Sequence, residues 1–156
     1  MDIDFRNFKY TNKTFGKSYG NILLKKTANY IEKTLAEVPH LLARGYADHF
    51  YAFIKLQNNP EYYTYIFLQQ YYDADYIKKK LELLIKVGIV FVNPSKEQDT
   101  VENLLGKASY AKRFISANSQ TPFMIFDKKI EETMNSEAFT EKNFLTSLKN
   151  NEFIVM

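Results

Sequence analysis

The spacing of apolar residues changes character several times along this chain. Near the start, Ile3, Phe5, Phe8 and Tyr10 fall at short, near-alternate intervals that suit a strand or an extended arm, and Gly16 and Gly20 mark loops after them. From residue 21 to 38 the period lengthens. Leu24, Ala28, Ile31, Leu35 and Val38 recur three or four apart until Pro39 stops the run, which predicts an amphipathic helix. A second helix is predicted over residues 41–57, where Phe50, Phe53, Ile54 and Leu56 are apolar. Asn59 as N-cap and Pro60 at the first helical position open a third, which runs to about Tyr72. Asp73 caps a fourth that continues to Val87 and ends at Gly88.

Beyond Gly88 the composition turns to β-branched and aromatic residues. "IVFVN", closed by Pro94, predicts a strand, and "TPFMIFD" over residues 121–127 predicts another. Helical spacing returns over about 98–106, 108–117, 128–134 and 140–149, with Asp127 and Thr140 as N-caps, and "EFIVM" suits a short last strand. The expected fold is α+β and mostly α: a helical bundle with a small antiparallel β element, forming a single domain over residues 1–156.

The stretch "DADYIKKKLELLIKVGIVFV" sharpens that expectation. Ile77, Leu81 and Leu84 share one helix face, Gly88 comes next, and Ile89 and Val90 begin a strand. This series over about residues 49–93 resembles the winged helix-turn-helix superfamily, in which three helices precede a two-stranded wing. The resemblance implies a winged-helix-like unit over about 47–127, with the 21–38 helix and the 128–150 helices packed on it. It also implies that residues 74–87 form a recognition helix for the major groove. Lys78, Lys79 and Lys86 face away from the apolar side and would contact phosphates, joined by Lys25 and Lys26. No Arg, Asn or Gln stands where bidentate base contacts would be made.

Composition and charge narrow the function classes. Apolar residues at 46% and charged ones at 25% support a packed core, and aromatic content of 16% argues against long disorder. A net charge of +3 tolerates a polyanionic partner without requiring one. The chain has no cysteine, which excludes disulfides, thiolate metal sites and thiol catalysis. "MDIDFRNFKY" lacks the pattern of a secretory signal, and the longest apolar run, residues 81–92, is broken by Lys86 and Gly88. No membrane partner is therefore expected, and the expected location is the cytoplasm. The residue usage has the flavour of an AT-rich genome, such as those of many Firmicutes, phages or archaeal viruses, and the expected origin is a phage, virus or mobile element.

Eight of the twelve tyrosines fall between Tyr46 and Tyr76. Tyr62, Tyr63, Tyr71 and Tyr72 are candidates for a protein interface, where a rigid ring buries area while its hydroxyl stays hydrated. Asp48 stands beside His49, but adjacent helical residues diverge and Phe53 stands at i+4, so His49 is expected to be a structural or surface residue. Asp127, Lys128, Glu131 and Glu132 after a strand offer the acids and lysine of a metal-dependent nuclease, and the N-cap role fits Asp127 equally. "GKSYGN" lacks the spacing of a phosphate-binding loop, and no G-x-S-x-G elbow occurs. The sequence therefore points to a non-catalytic nucleic-acid-binding accessory or regulatory protein with no cofactor, no metal and no catalytic residues. The alternatives are a protein-interaction module or inhibitor that binds a host protein through the tyrosine-rich surface, and a nuclease. A homodimer is compatible with each.

Overall fold

The computed structural model describes residues 1–55, 85–93, 99–116, 122–150 and 152. At its centre lies a five-stranded mixed sheet: β1 (Asp2–Phe5), β2 (His40–Arg44), β3 (Phe50–Ile54), β4 (Ile85–Ile89) and β5 (Phe123–Ile125), in the order β2-β3-β1-β4-β5. β4 and β5 run parallel, with Ile89 opposite Ile125; the other neighbours are antiparallel. Helices α1 (Phe8–Phe15), α2 (Lys17–Leu35), α3 (Val101–Lys112) and α4 (Lys128–Lys149) complete the described elements.

The period of two along the strands sorts their side chains. On one face Ile3 and Phe5 of β1, Phe50 and Ala52 of β3, and Ile85, Val87 and Ile89 of β4 join Phe8 of α1 and Leu23, Leu24, Ile31 and Leu35 of α2 in one buried cluster. The other face carries Asp2 and Asp4 of β1 beside Gly88 and Lys86 of β4, their register partners. α3 covers that face. A Cβ built on Gly88 would lie 1.8 Å from the carbonyl oxygen of Ala108 and 2.8 Å from Cγ of Lys112. The missing side chain is what lets the helix backbone lie directly on the strand.

Several expectations are corrected by this architecture. The helical bundle with a small antiparallel β element gives way to a mixed sheet with helices on both faces. In place of the helix expected over residues 41–57, residues 40–54 form a hairpin: Phe50 with Ala52, and Tyr51 with Phe53, are alternating strand positions, and Gly45 lies in the connection. The spacing of Phe50, Phe53 and Ile54 satisfies either period, and pairing with β1 decides for the strand. Residues 85–87 belong to β4 and do not end a helix, and Gly88 is a strand residue under α3, not a helix terminator. No antiparallel wing forms from residues 89–93 and 122–127, since β4 and β5 are parallel. The two helices expected over 98–117 are a single α3, capped by Thr100, whose Oγ1 accepts from the Asn103 amide at 3.2 Å.

Other expectations hold. The amphipathic helix expected over 21–38 is α2, which starts earlier, at Lys17, so that Gly20 lies inside it and not in a loop, and which ends at Leu35. β5 lies inside "TPFMIFD". Asp127 caps α4 through a 2.8 Å bond from the Ile130 amide to Oδ1, whereas Thr140 lies inside the continuous helix and its hydroxyl donates to the Ser136 carbonyl.

Candidate functional site

The polar face of the sheet holds a cluster that α3 closes over. Lys112 sits in the last turn of α3, and Gly88 brings that turn down onto β1 and β4. Its Nζ lies 2.8 Å from Asp2 Oδ2 and 2.7 Å from Asp4 Oδ2, so one ammonium bridges both carboxylates of β1. His49, just before β3, places Nδ1 3.0 Å from Asp2 Oδ1 and Nε2 3.8 Å from Asp4 Oδ2. With Lys112 already between two carboxylates, the satisfied arrangement has Nδ1–H donating to Asp2. Asp2 is 1% exposed and the Lys112 side chain 5%, so these charges have left water and depend on each other.

The β2–β3 turn positions His49. The His49 amide donates to the Tyr46 carbonyl at 3.0 Å, which closes a four-residue turn over Tyr46-Ala47-Asp48-His49. Ala47, its first central residue, has φ 49°, and among the described residues only Asn7 is another non-glycine with positive φ. Such a turn ordinarily takes glycine at that position. The Asp48 carboxylate accepts from the Phe5 amide at 3.1 Å and so ties the turn to the end of β1. The Tyr46 ring stacks on His49 with centroids 4.5 Å apart, and the Arg44 guanidinium lies 4.8 Å over the Phe50 ring and donates to the Ala47 carbonyl. Asp48, His49 and Arg44 thus each make a polar contact within the molecule, while Tyr46 remains largely exposed. Burial, then the nearby Asp2 carboxylate, holds the Tyr51 hydroxyl above its ordinary pKa.

Two carboxylates and an imidazole are ligand types for a divalent cation. In this cluster the Lys112 ammonium occupies the place and supplies the charge that such an ion would bring, so the donor set does not fit a metal. Among the described residues no group of three His, Asp or Glu side chains is arranged to hold one. A shallow concavity between Arg113 and Glu141 runs along α4, away from this cluster, and its Arg113 is paired to Glu137 at 3.2 Å. It brings together no comparable chemistry.

The residues that the sequence marks as candidates lie elsewhere. Lys25 and Lys26 are on the exposed face of α2, and Lys86 is on β4 beside Asp4. Lys78, Lys79, Tyr62, Tyr63, Tyr71 and Tyr72 lie outside the described residues. The cluster itself escapes a local reading. As a helical residue His49 would diverge from Asp48, and Asp2 and Asp4 look like scattered acids, although "DID" at alternate strand positions puts both carboxylates on one face.

A sheet in this order with helices on both faces is an α/β architecture, and comparison with known proteins gives it a family. The family model described as "Diguanylate cyclase, GGDEF domain" matches residues 1–114. The chain belongs to the GGDEF domain family. Solved structures agree on the fold. An EAL/GGDEF domain protein from M. capsulatus superposes with a TM-score of 0.63 at 22% identity, covering 81% of this chain and 82% of that one. The active GGEEF domain of a diguanylate cyclase from Vibrio cholerae gives 0.64 at 15% identity, covering 81% of each chain. The GGDEF domain of DgcB from Caulobacter crescentus, in complex with c-di-GMP, gives 0.61 at 16%, covering 80% of this chain and 74% of that one. Among curated proteins none matches.

The family match overturns the winged helix-turn-helix resemblance, and with it the DNA-binding accessory role and the phage, virus or mobile-element origin attached to it. Spelled out as residues, the family's name is Gly-Gly-Asp-Glu-Phe. This chain contains no Gly-Gly pair, and its β2–β3 turn reads Tyr46-Ala47-Asp48-His49-Phe50, agreeing at the third and fifth positions. Ala47, with its positive φ, stands where that string has its second glycine. No described helix is long and apolar enough to cross a membrane.

Proposed function

We propose that this chain is a regulatory domain of cyclic di-GMP signalling that has kept the GGDEF fold and lost the cyclase reaction. One observation carries the proposal: the Lys112 ammonium seated between Asp2 and Asp4, with His49 against both. In a cyclase, acidic groups at a nucleotide site must face outward to manage the charge of phosphates and their counter-ions. In this chain they are paired with an internal cation beneath α3, Asp2 fully buried and Asp4 largely so. The turn supports the same conclusion, because His49 stands in place of the acid in the family string and Tyr46 covers it. Such a domain acts through surfaces, as a partner of other proteins in the same signalling system, and we place it in the cytoplasm, where nucleoside triphosphates are held.

The test is direct. The purified protein is incubated with guanosine triphosphate and Mg²⁺ or Mn²⁺, and the products are separated by chromatography. No c-di-GMP is expected at any protein concentration. Its formation, abolished by Asp4→Asn, would overturn the proposal and make the chain an active cyclase.

A further inference from the structure

Charge along the chain is unevenly placed. Residues 9–33 carry six lysines against a single acid, Glu32, in a protein whose net charge is only +3, so the remaining residues together are net acidic. All six lysines are exposed. They belong to α1 and α2, which meet at Gly16 (φ 85°), a joint of one residue that folds the helices into a hairpin. Neither helix has an acidic residue in its first turn, so nothing offsets the positive end of α2 at the joint.

The tip of this hairpin, "KTFGKSY", sets Phe15 between Lys13 and Lys17. Phe15 is 60% exposed and its ring packs at a tilt against that of Tyr19, with centroids 5.3 Å apart. Further along the outer face of α2, Ile22 is 53% exposed, with Lys25 and Lys26 one turn on, and Tyr10 is exposed on α1 beside Lys9 and Lys13. At the tip the Gly16 amide donates to the Asn12 carbonyl and the Gly20 amide to the Gly16 carbonyl, while the first-turn amides of α2 are left for the headgroup layer, which is polar.

We propose that the α1–α2 hairpin docks on the surface of an anionic lipid bilayer, with Phe15 and Ile22 entering the headgroup boundary and the lysines lying against the lipid charges. Aromatic and aliphatic side chains interleaved with lysine are what an interfacial helix presents, and the cytoplasmic leaflet is anionic. A nucleic acid would match the lysines but offers no apolar layer for Phe15 and Ile22 to enter, and a protein that bound only an acidic protein partner would stay off anionic vesicles. The docking does not depend on whether the domain is catalytic.

Vesicle co-sedimentation tests this on the full chain, with vesicles of phosphatidylcholine alone and of phosphatidylcholine with about one-third phosphatidylglycerol. Binding is expected only to the anionic vesicles and is expected to weaken with salt. Each lysine at such a surface is worth roughly fivefold in partitioning, so Lys17→Gln with Lys25→Gln should lower the partition coefficient about thirtyfold. Phe15→Ser should lower it several-fold at unchanged net charge, and circular dichroism will show both variants folded. No binding to anionic vesicles, equal binding to both compositions, or a Phe15→Ser variant that binds as the wild type would each overturn the proposal. So would complete displacement from vesicles by an equal charge of duplex DNA.

Discussion

Replacing Lys112 by methionine keeps the aliphatic stem of the side chain and removes the ammonium that two carboxylates share. Asp2 is 1% exposed, so without Lys112 its charge is left in the protein interior with no lysine beside it; Asp4, at 21%, retains part of its hydration. Removing one partner of a buried ion pair costs about 3–5 kcal/mol, because the other charge stays buried and uncompensated. The partial exposure of Asp4 argues for the lower end, about 3 kcal/mol. For a domain of this size that is a fall in melting temperature on the order of 6–12 °C. Urea denaturation monitored by circular dichroism gives the free energy directly, with m unchanged if both states keep their compactness.

A second arm separates the ionic cause from lost packing. In the double variant Asp2→Asn with Lys112→Met, the buried charge has gone along with its partner, so the two costs should fall short of additive by at least about 1 kcal/mol. Lys112→Met also leaves Asp2, Asp4 and His49 facing space that the ammonium held. Mn²⁺ should therefore stabilise the variant, by about 2.7 kcal/mol at a hundredfold excess over its dissociation constant, and raise its melting temperature accordingly while leaving the wild type unmoved. A loss below about 1 kcal/mol, strict additivity, or an equal Mn²⁺ response in both proteins would refute the internal-cation argument.

Three further outcomes are expected. Gly88→Ala sets a methyl against the Ala108 carbonyl, 1.8 Å from where its Cβ would stand, and should cost about 3 kcal/mol or more in thermal or urea unfolding as α3 lifts from β4. Ala47→Gly relieves a left-handed alanine at φ 49° and should stabilise by about 0.5–1 kcal/mol; a loss on urea denaturation would show that the turn is not strained there. His40 is held charged first by its bond to the Val38 carbonyl and then by Glu32 at 3.0 Å, which raises its pKa above the ordinary 6.5. Its contribution is therefore complete below the unfolded value and lost as pH rises through the raised folded one, and Glu32→Gln should flatten that part of a stability–pH profile.

Local signals in the sequence carried what depends on a few consecutive residues. The three-to-four spacing from Leu24 to Leu35 specifies α2 because one stripe of a lone helix must find a core, and Asp127 specifies a helix start because free amides come after it. Absent cysteine excluded disulfides and thiolate chemistry outright. Short apolar runs were ambiguous. In "LLIKVGIVF" the alternation of Ile85, Val87 and Ile89 with Lys86 and Gly88 is only five residues long, and the apolar residues on either side of it blur the period, so the stretch reads equally as the end of a helix.

Only tertiary structure decided the rest. Gly88 reads as a terminator until α3 is seen lying on it, and the cluster of Asp2, Asp4, His49 and Lys112 joins residues up to 110 positions apart. No local propensity records that distance. It is set by which strands pair and which helix crosses them, and those choices are made by burying surface across the whole domain, where each residue's partners lie far from it along the chain.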